Sequence, residues 1–544
     1  MTRDRPVTAT ADEPAVTRVR RARRGRTVAA AATGVVSVLV LLAVAEVAAV
    51  VTGPEGSPLP AVGQVVIDLA PAPVKDATIA VFGTADKLAL GVLLGLLLLA
   101  VAALAGVLQQ RRPPAGSVVV GAGGVLALAA VLTRAGAEGA DGVPAALGTV
   151  VALLVLAALS ARLRRWQAVD APPAAHDPLV ARAPGPGRVE RRTFLTWVGV
   201  TGAVALAAGT AARTVTTAAR AVGDLRDRLG LPAPARPAPA VPAGASLDVP
   251  GITPYLTPNA DFYRIDTALQ VPAVDPGTWR LRVHGLVDRE VELSYEDLLA
   301  LPLVEHHATL SCVSNEVGGD LVGTALWLGW PIREVLARAG VRDGADMVLS
   351  TSVDGFTAGT PLDVLQDDGV EALLAVGMNG EPLPLEHGFP VRMVVPGLYG
   401  YVSATKWVTS LEVTRFADAE GYWTPRGWSE RGPVKLQSRI DVPRGRNTVP
   451  TGAVAVAGVA WQPHVGVSRV EVRVDGGPWQ RAELADSTSA DTWRQWVLRW
   501  EASPGRHELT VRATDADGVV QPEARRAPAP DGAEGWHTVV VDVA

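Results

Sequence analysis

At 544 residues the chain is long enough for about three or four domains, and its formal net charge of −5 excludes the basic balance of a nucleic-acid binder. Its single cysteine excludes any intramolecular disulfide, and outside the cytoplasm a lone thiol is a liability unless it is buried or bound. The composition is split. Roughly the first 215 residues are dominated by Ala, Val, Leu and Gly, whereas the rest carries nearly all the aromatic and most of the acidic residues.

In chain order, residues 1–26 read as a basic cytoplasmic tail. Apolar stretches at 27–51, 88–108, 116–132 and 143–163 approach or exceed the length that crosses a bilayer, and together make a four-span membrane domain over 27–165. Residues 54–87, only moderately apolar and broken by prolines, read as an exposed or re-entrant loop. A cytoplasmic linker at 166–190 leads to a fifth span, 191–215, headed by Arg191-Arg192. The clusters "RVRRARRGR", Arg111-Arg112, "RLRRW" and Arg191-Arg192 fall on one side if the spans alternate, which makes that side cytoplasmic and sends the chain outward after the fifth span. Arg191-Arg192 with Phe194-Leu195 also resembles a twin-arginine export signal; a plain positive-inside anchor reads equally well. No histidine precedes His176 and the spans lack cysteine, so the pattern excludes a bis-histidine haem in the membrane part and any C-x-x-C-H haem attachment. The four-span unit is an anchor or docking module on this reading.

Residues 216–250 form a proline-rich linker. In a polyproline conformation at about 3.1 Å per residue, "LPAPARPAPAVPAGAS" would act as a spacer of about 40–50 Å. Beyond it, "WRLRVHG" and "VEHHATLSCV" read as strands, "SYEDLLAL" as a short helix capped by Ser294, and "PIREVLARAG" as a helix ended by Gly340. This mixture predicts an α+β domain over 251–430. Alternating strands with Asp-Gly and Pro-Gly turns then predict an immunoglobulin-like β-sandwich over 431–544, in which Trp461, Trp479, Trp493, Trp496 and Trp500 are core or interface fillers.

Cys312 ends a predicted strand, where the chain turns into a polar loop. A lone cysteine is ordinarily a small buried hydrophobe; here its flanks favour a thiolate donor to a soft metal. In "MNGEPLPLEHGFPVRMVVPGLYGYVSATKWV", His387, Arg392 and Lys406 interrupt an apolar strand series. That pattern suits either a buried anionic ligand or ordinary surface loops. Adjacent His306 and His307 point to opposite faces of a strand and do not readily chelate one ion.

"TLSCVSN", "MNGEPLPLEHGFPVRMVVPG" and "SATKWV", in this order, resemble the motifs of the molybdopterin-binding domain of the sulfite oxidase family. "NADFYRIDTALQVPAVDPGTWRLRVHG" is similar to the start of that domain, and the C-terminal strands to its dimerisation domain, so the resemblance covers about 290 residues. It implies a molybdenum held by one pyranopterin dithiolene, with Cys312 as the metal ligand. It also places Asn259, Phe262, Tyr263, His387, Arg392, Ser403 and Lys406 in segments that hold the pterin and its phosphate. The resemblance puts Arg264 where the family has an arginine near the oxo-substrate, though "FYRIDT" replaces the commoner "RNH" pattern. On the same resemblance Tyr422, with Trp423 and Arg426, is expected to shape the mouth of the site. A membrane anchor, a separate electron carrier and a homodimer through the C-terminal domain complete the expected partners.

One departure bears on substrate. Animal and plant members of the sulfite oxidase family carry adjacent arginines shortly after the metal cysteine, whereas this chain has Glu316 and Asp320. Carboxylates there disfavour an anion such as sulfite and leave the reaction class, two-electron oxygen-atom transfer, unchanged. Two alternatives remain: repair of oxidised methionine by the same fold, and a non-catalytic surface binder.

Overall fold

A computed structural model describes residues 15–52, 56–69, 86–134, 137, 139–169, 187–215, 217–268, 271–445 and 448–544. They form two compact units, Met1–Ala218 and Ala219–Ala544. The described part of the first unit is helical: α1 (Ala15–Thr52), α2 (Pro58–Leu69), α3 (Asp86–Arg111), α4 (Ala115–Leu132), α5 (Gly142–Val169) and α6 (Gly187–Val215). Five stretches within it are long and apolar enough to cross a membrane: Arg24–Val50, Ala89–Arg111, Ala115–Leu132, Gly139–Ala168 and Arg191–Thr210. These match the expected spans in number and, to within a few residues, in place.

Glycine sets the closest crossing. A Cβ on Gly34 of α1 would run into the Ala102 carbonyl and Gly106 of α3, and one on Gly106 would strike the Ala30 carbonyl. Polar side chains are satisfied locally, as Thr33 and Ser37 donate to Ala30 and Thr33 carbonyls one turn back, both at 2.7 Å. Ala29, Ala30, Val107, Leu163, Trp166, Phe194 and Val198 share one cluster. The starts of α1 and α6 and the ends of α3 and α5 therefore meet at one end of the unit, and the described arginine clusters stand beside them. The expected loop at 54–87 is corrected in part: α2 occupies Pro58–Leu69, its Ala61, Val62 and Val65 packed on Ala130 and Val131. Residues 70–85, most of the 166–190 linker and residues 1–14 of the tail lie outside the described residues; from Ala15 the tail is helical.

In the second unit, α7 (Thr217–Arg228) leads into the proline-rich segment. The free-spacer reading is corrected. Ala235 donates to Leu303 O, Glu305 donates to Arg236 O, and Val241 and Ala245 pack into a core beside Tyr255 and Trp493. The prolines keep the segment extended, so its apolar side chains seat along the domain and its carbonyls meet a strand edge.

One sheet has the order β2-β1-β10-β5-β6, from β1 (Arg280–Gly285), β2 (Val291–Ser294), β5 (Met347–Ser352), β6 (Thr357–Pro361) and β10 (Val408–Thr414). Beside it, β3 (Val304–Ser311), β4 (Val322–Pro331), β7 (Leu373–Met378) and β8 (Glu381–Pro382) run in that order, with β9 (Arg392–Val394) paired to β7. Short helices α8 (Tyr295–Leu299), α9 (Ile332–Ala339) and α10 (Leu362–Gln366) link the strands. Local chemistry explains their ends: Ser294 and Asp297 form a reciprocal capping box on α8, and Gly340, at φ 70°, ends α9. The expected strands and helices here are found within a residue or two.

The C-terminal strands form two sheets. One is β11-β13-β17-β16, from β11 (Gln437–Val442), β13 (Gly452–Trp461), β16 (Glu483–Leu484) and β17 (Arg494–Ala502). The other is β12-β19-β18-β14-β15, from β12 (Thr448–Val449), β14 (Val467–Val474), β15 (Gln480–Arg481), β18 (Gly505–Asp515) and β19 (His537–Val543). Ile440, Val456 and Trp496 of the first share a core with Val470, Val511 and Val541 of the second, which makes a sandwich. The sandwich also guards the edge of β3: Thr309 donates its N–H to Asp491 O at 2.9 Å, and its hydroxyl accepts from Trp493 N–H at 2.8 Å. β3 ends one residue before Cys312, so this docking fixes where the thiol sits.

Candidate active site

The hairpin of β3 and β4 carries the loop 312–321 at its tip, with Ser311 opposite Val322. Cys312 donates its N–H to Leu321 O at 2.9 Å, and Asn315 Oδ1 accepts from Leu321 N–H at 2.9 Å, closing the loop on itself. Gly400 N–H donates to Ser311 O at 3.1 Å, which lays the Gly397–Lys406 loop alongside. Cys312 is 8 % exposed. Burial pushes its thiol up, against hydrogen bonds from Ser314 N–H and hydroxyl that stabilise the thiolate. A metal bound here would displace the proton.

The same domain buries a cation without a carboxylate. Arg392 at the start of β9 is 5 % exposed, and its guanidinium donates to His387 O at 3.0 Å and Met393 O at 3.3 Å, 5.0 Å from the Trp327 ring centre. Among the described residues it has no ion pair. Burial brings its pKa down to about 10, so an incoming anion would relieve the desolvation cost of its charge. Gly388, at φ 110°, makes the approach possible: a Cβ there would lie 3.0 Å from Arg392 Cβ and 3.1 Å from Lys406 Cβ.

Four rings pack on one another here, and Trp327 is the one that faces the guanidinium. His387 meets Phe262 edge-on at 5.6 Å, Phe262 stacks on Tyr263 at 5.3 Å and meets Trp327 edge-on at 5.8 Å. His387 Nε2 lies 3.1 Å from Asn259 O and is the protonated nitrogen by that contact. Burial, then the Arg392 charge, pushes His387 down to about 4, so it is neutral at pH 7. Burial and the Cys312 sulfur raise the Tyr263 hydroxyl above its ordinary range, and the Arg392 charge opposes them.

Lys406 is nearly as buried as Arg392 but is paired. Its Nζ lies 2.9 Å from Asp266 Oδ2 and donates to Glu386 O at 3.0 Å; Arg264 Nε meets the same carboxylate oxygen at 2.7 Å. Burial brings Lys406 down to about 8 although Asp266 opposes the shift. Arg264 is thus tied to an internal anion. Other expected site residues are used in the scaffold. Ser403 donates its hydroxyl to Tyr399 O at 2.9 Å, and Asn259 is held by Asn379 at 2.8 Å and Glu381 at 2.5 Å. Tyr422 sits on a rim with Phe356, Trp423 and Arg426, its ring 3.7 Å from the Arg426 guanidinium, and its N–H bonds to β6. Arg439 donates to Gly319 O at 2.7 Å but is neutralised by Asp441 at 2.7 Å; Glu316 and Asp320 face solvent.

The fold therefore brings Cys312, Tyr263, His387 and Arg392 together, with Lys406 and Arg264 joined through Asp266. Asp266, Tyr399 and Ser314 escaped the sequence reading. Only Asp266 left a signal, as a carboxylate two residues after Arg264. Among the described residues no group of three or more His, Cys, Asp or Glu is placed to hold an ion, so a metal at Cys312 must bring further donors with it.

A family described as oxidoreductase molybdopterin binding domain matches residues 268–423, which contain Cys312, His387, Arg392, Ser403, Lys406 and Tyr422. Rat mitochondrial sulfite oxidase is 34 % identical over 317 residues, 49 % of this chain and 58 % of that protein, so the chain spans a little over half the length of that relative. Chicken sulfite oxidase is 31 % identical over 320 residues, 50 % of this chain and 69 % of the relative. An uncharacterized oxidoreductase of Bacillus subtilis, YuiH, is 37 % identical over 158 residues, 29 % and 76 % of the two chains. Among solved structures, the sulfane dehydrogenase SoxCD of Paracoccus pantotrophus aligns over 53 % of this chain and 84 % of its own at 23 % identity, with a TM-score of 0.46. With the thiol, the buried cation and this identity on the same segments, the chain belongs to the sulfite oxidase family of molybdopterin-dependent oxidoreductases.

Proposed function

We propose that the protein is a membrane-anchored molybdenum enzyme that performs two-electron oxygen-atom transfer on a small oxo-substrate outside the cytoplasm, with Cys312 as the one protein ligand to the metal. The observation that carries this reading is that one domain buries both the thiol and Arg392, a guanidinium bonded only to carbonyls among the described residues. A pterin phosphate is the anion that such a fork suits. When bound, the metal–pterin group supplies the two-electron couple and the exchangeable oxygen. His387, Arg392 and Lys406 would hold its anionic end, Phe262 and Tyr263 would wall it, and Asn259 and Ser403 would keep the flanking loops in shape. Burial of the thiol excludes water from the metal side. Arg264 would position substrate at the exposed side, and Tyr422 with Trp423 and Arg426 would form the mouth.

The arrangement favours a neutral S-oxide or N-oxide over sulfite. Arg264 and Lys406 share Asp266, which offsets part of the positive charge an anion would need. A second reading, repair of methionine sulfoxide in polypeptides, is favoured by the half-buried aromatic rim of Phe356, Tyr422, Trp423 and Trp428. Electrons would come from a separate carrier, and the sandwich would pair two copies. Metal and pterin analysis tests the core of the proposal: about one molybdenum per chain is expected, and Cys312→Ser should keep the fold and lose activity, since a hydroxyl is a poor donor to a soft metal. A fully active Cys312→Ser enzyme would refute it.

A further inference from the structure

We propose that Arg191 and Arg192 form a binding site for the headgroup of an anionic phospholipid. Both are exposed at the head of the fifth span and line an open cavity of about 510 Å³ with Leu195 and Thr196. Aromatic rings lie beside these arginines. Trp166 of α5 stacks on Phe194 of α6 at 5.7 Å; the Arg191 guanidinium lies 5.9 Å from the Trp166 ring, and that of Arg162 lies 4.2 Å from the Trp197 ring. Contact through the face of a guanidinium leaves its edge donors free for an oxyanion.

Two further observations point to an occupant. The indole Nε1 of Trp166 is buried beside Arg191 and has no hydrogen-bond partner among the described residues. No described carboxylate pairs with Arg162, Arg191 or Arg192 either, although long basic side chains at a packed helix end ordinarily find one. The described side chains of the site thus offer donors and positive charge, and no carboxylate acceptor stands among them. One turn apart along α6 stand Leu195 and then Gly199, where a Cβ would meet nothing within 4 Å, flanked by exposed Val200 and Val204. An apolar track leading from a cationic cavity fits an acyl chain beneath a phosphate, and a free phosphate would leave that track uncovered. The pair that heads the span would thereby also moor it.

The test uses the purified full chain in neutral detergent and in bilayer discs of phosphatidylcholine with and without phosphatidylglycerol. Native mass spectrometry should show phosphatidylglycerol retained in preference to phosphatidylcholine. Arg191→Gln with Arg192→Gln should lower that retention at least about tenfold. Should the double variant not insert, Thr196→Glu decides: it keeps both arginines and sets a carboxylate one turn from Arg192, where it should occupy the arginine and lower retention similarly. Equal retention of the two lipids, unchanged retention in Thr196→Glu, or displacement by inorganic phosphate at about 10 mM, far below what should compete with a lipid whose tail is also bound, would overturn the proposal.

Discussion

Lys406 Nζ stands 2.9 Å from Asp266 Oδ2, and Arg264 Nε stands 2.7 Å from the same oxygen. One buried carboxylate therefore serves two cations, one in the cofactor-side loop and one in the segment expected to face substrate. Asp266→Asn should uncover positive charge at the mouth. At about pH 6.5, where Lys406 is still largely protonated, we expect KM for sulfite to fall roughly five- to tenfold while KM for a neutral S-oxide changes little, because only the anion gains a partner. Without Asp266 the Lys406 pKa drops below about 8, so the gain should fade as pH rises. Steady-state kinetics with both substrates checks this; equal changes for both would remove the charge argument.

Arg392 supports a second expectation with opposite signs in two measurements. Its charge is buried at a desolvation cost, so Arg392→Met should leave the cofactor-free protein as stable or raise its apparent Tm by about 2–4 °C. The same change should cut pterin content by about tenfold or more, since no other described residue replaces the guanidinium fork. A variant that loses stability and keeps its pterin would show that Arg392 only braces the His387 turn.

Much of this was legible in the residues. Ser294 and Asp297 spelled a capping box, Gly340 a helix end, and the spacing of apolar stretches gave five spans. Three features were not legible, each because a long-range contact decides it. The segment at 231–246 has the composition of a spacer, but β3 offers an unpaired edge and Arg236 O fills it. Asn259 and Ser403 have the chemistry of ligand contacts, but their nearest acceptors and donors are turns of the same domain. Asp266 looked like an ordinary loop acid because its partner Lys406 is 140 residues away.

Topology follows from the shared end of α1, α3, α5 and α6. With basic residues gathered there, a reporter placed after Arg165 should read cytoplasmic and one at the C-terminus should read extracytoplasmic. Arg191→Lys with Arg192→Lys keeps this charge. It should block export only if a twin-arginine route operates, so normal export of the variant would assign the pair to anchoring alone.

The contact between β3 and the sandwich should give a pH-dependent stability. Asp491 Oδ2 lies 2.7 Å from His306 Nε2, and Oδ1 lies 3.4 Å from His464 Nδ1, an ion-pair distance rather than a close hydrogen bond. Interaction with Asp491 raises the His464 pKa, against some loss from burial. For Asp491, burial acts to raise the pKa, but the bonds from His306 and His464 outweigh it and hold the carboxyl below its usual range. A raised histidine contributes stability that is complete below its unfolded value of about 6.5 and is lost as pH climbs through its folded value. A lowered aspartate contributes stability that is complete above its unfolded value of about 3.9 and is lost as pH falls through its folded value. The two windows overlap between about pH 4 and 6.5, so the contact should be strongest there. Asp491→Asn should therefore lower stability most near about pH 5.5, by on the order of 1.5–3 kcal/mol, read as a drop in apparent Tm that narrows toward pH 8. Tryptophan fluorescence reports on this, because buried Trp493, two residues along from Asp491, donates its backbone N–H to the Thr309 hydroxyl. A gap that stays constant from about pH 5 to 8 would mean that Asp491 acts through its backbone bond to Thr309 and that the histidines are bystanders.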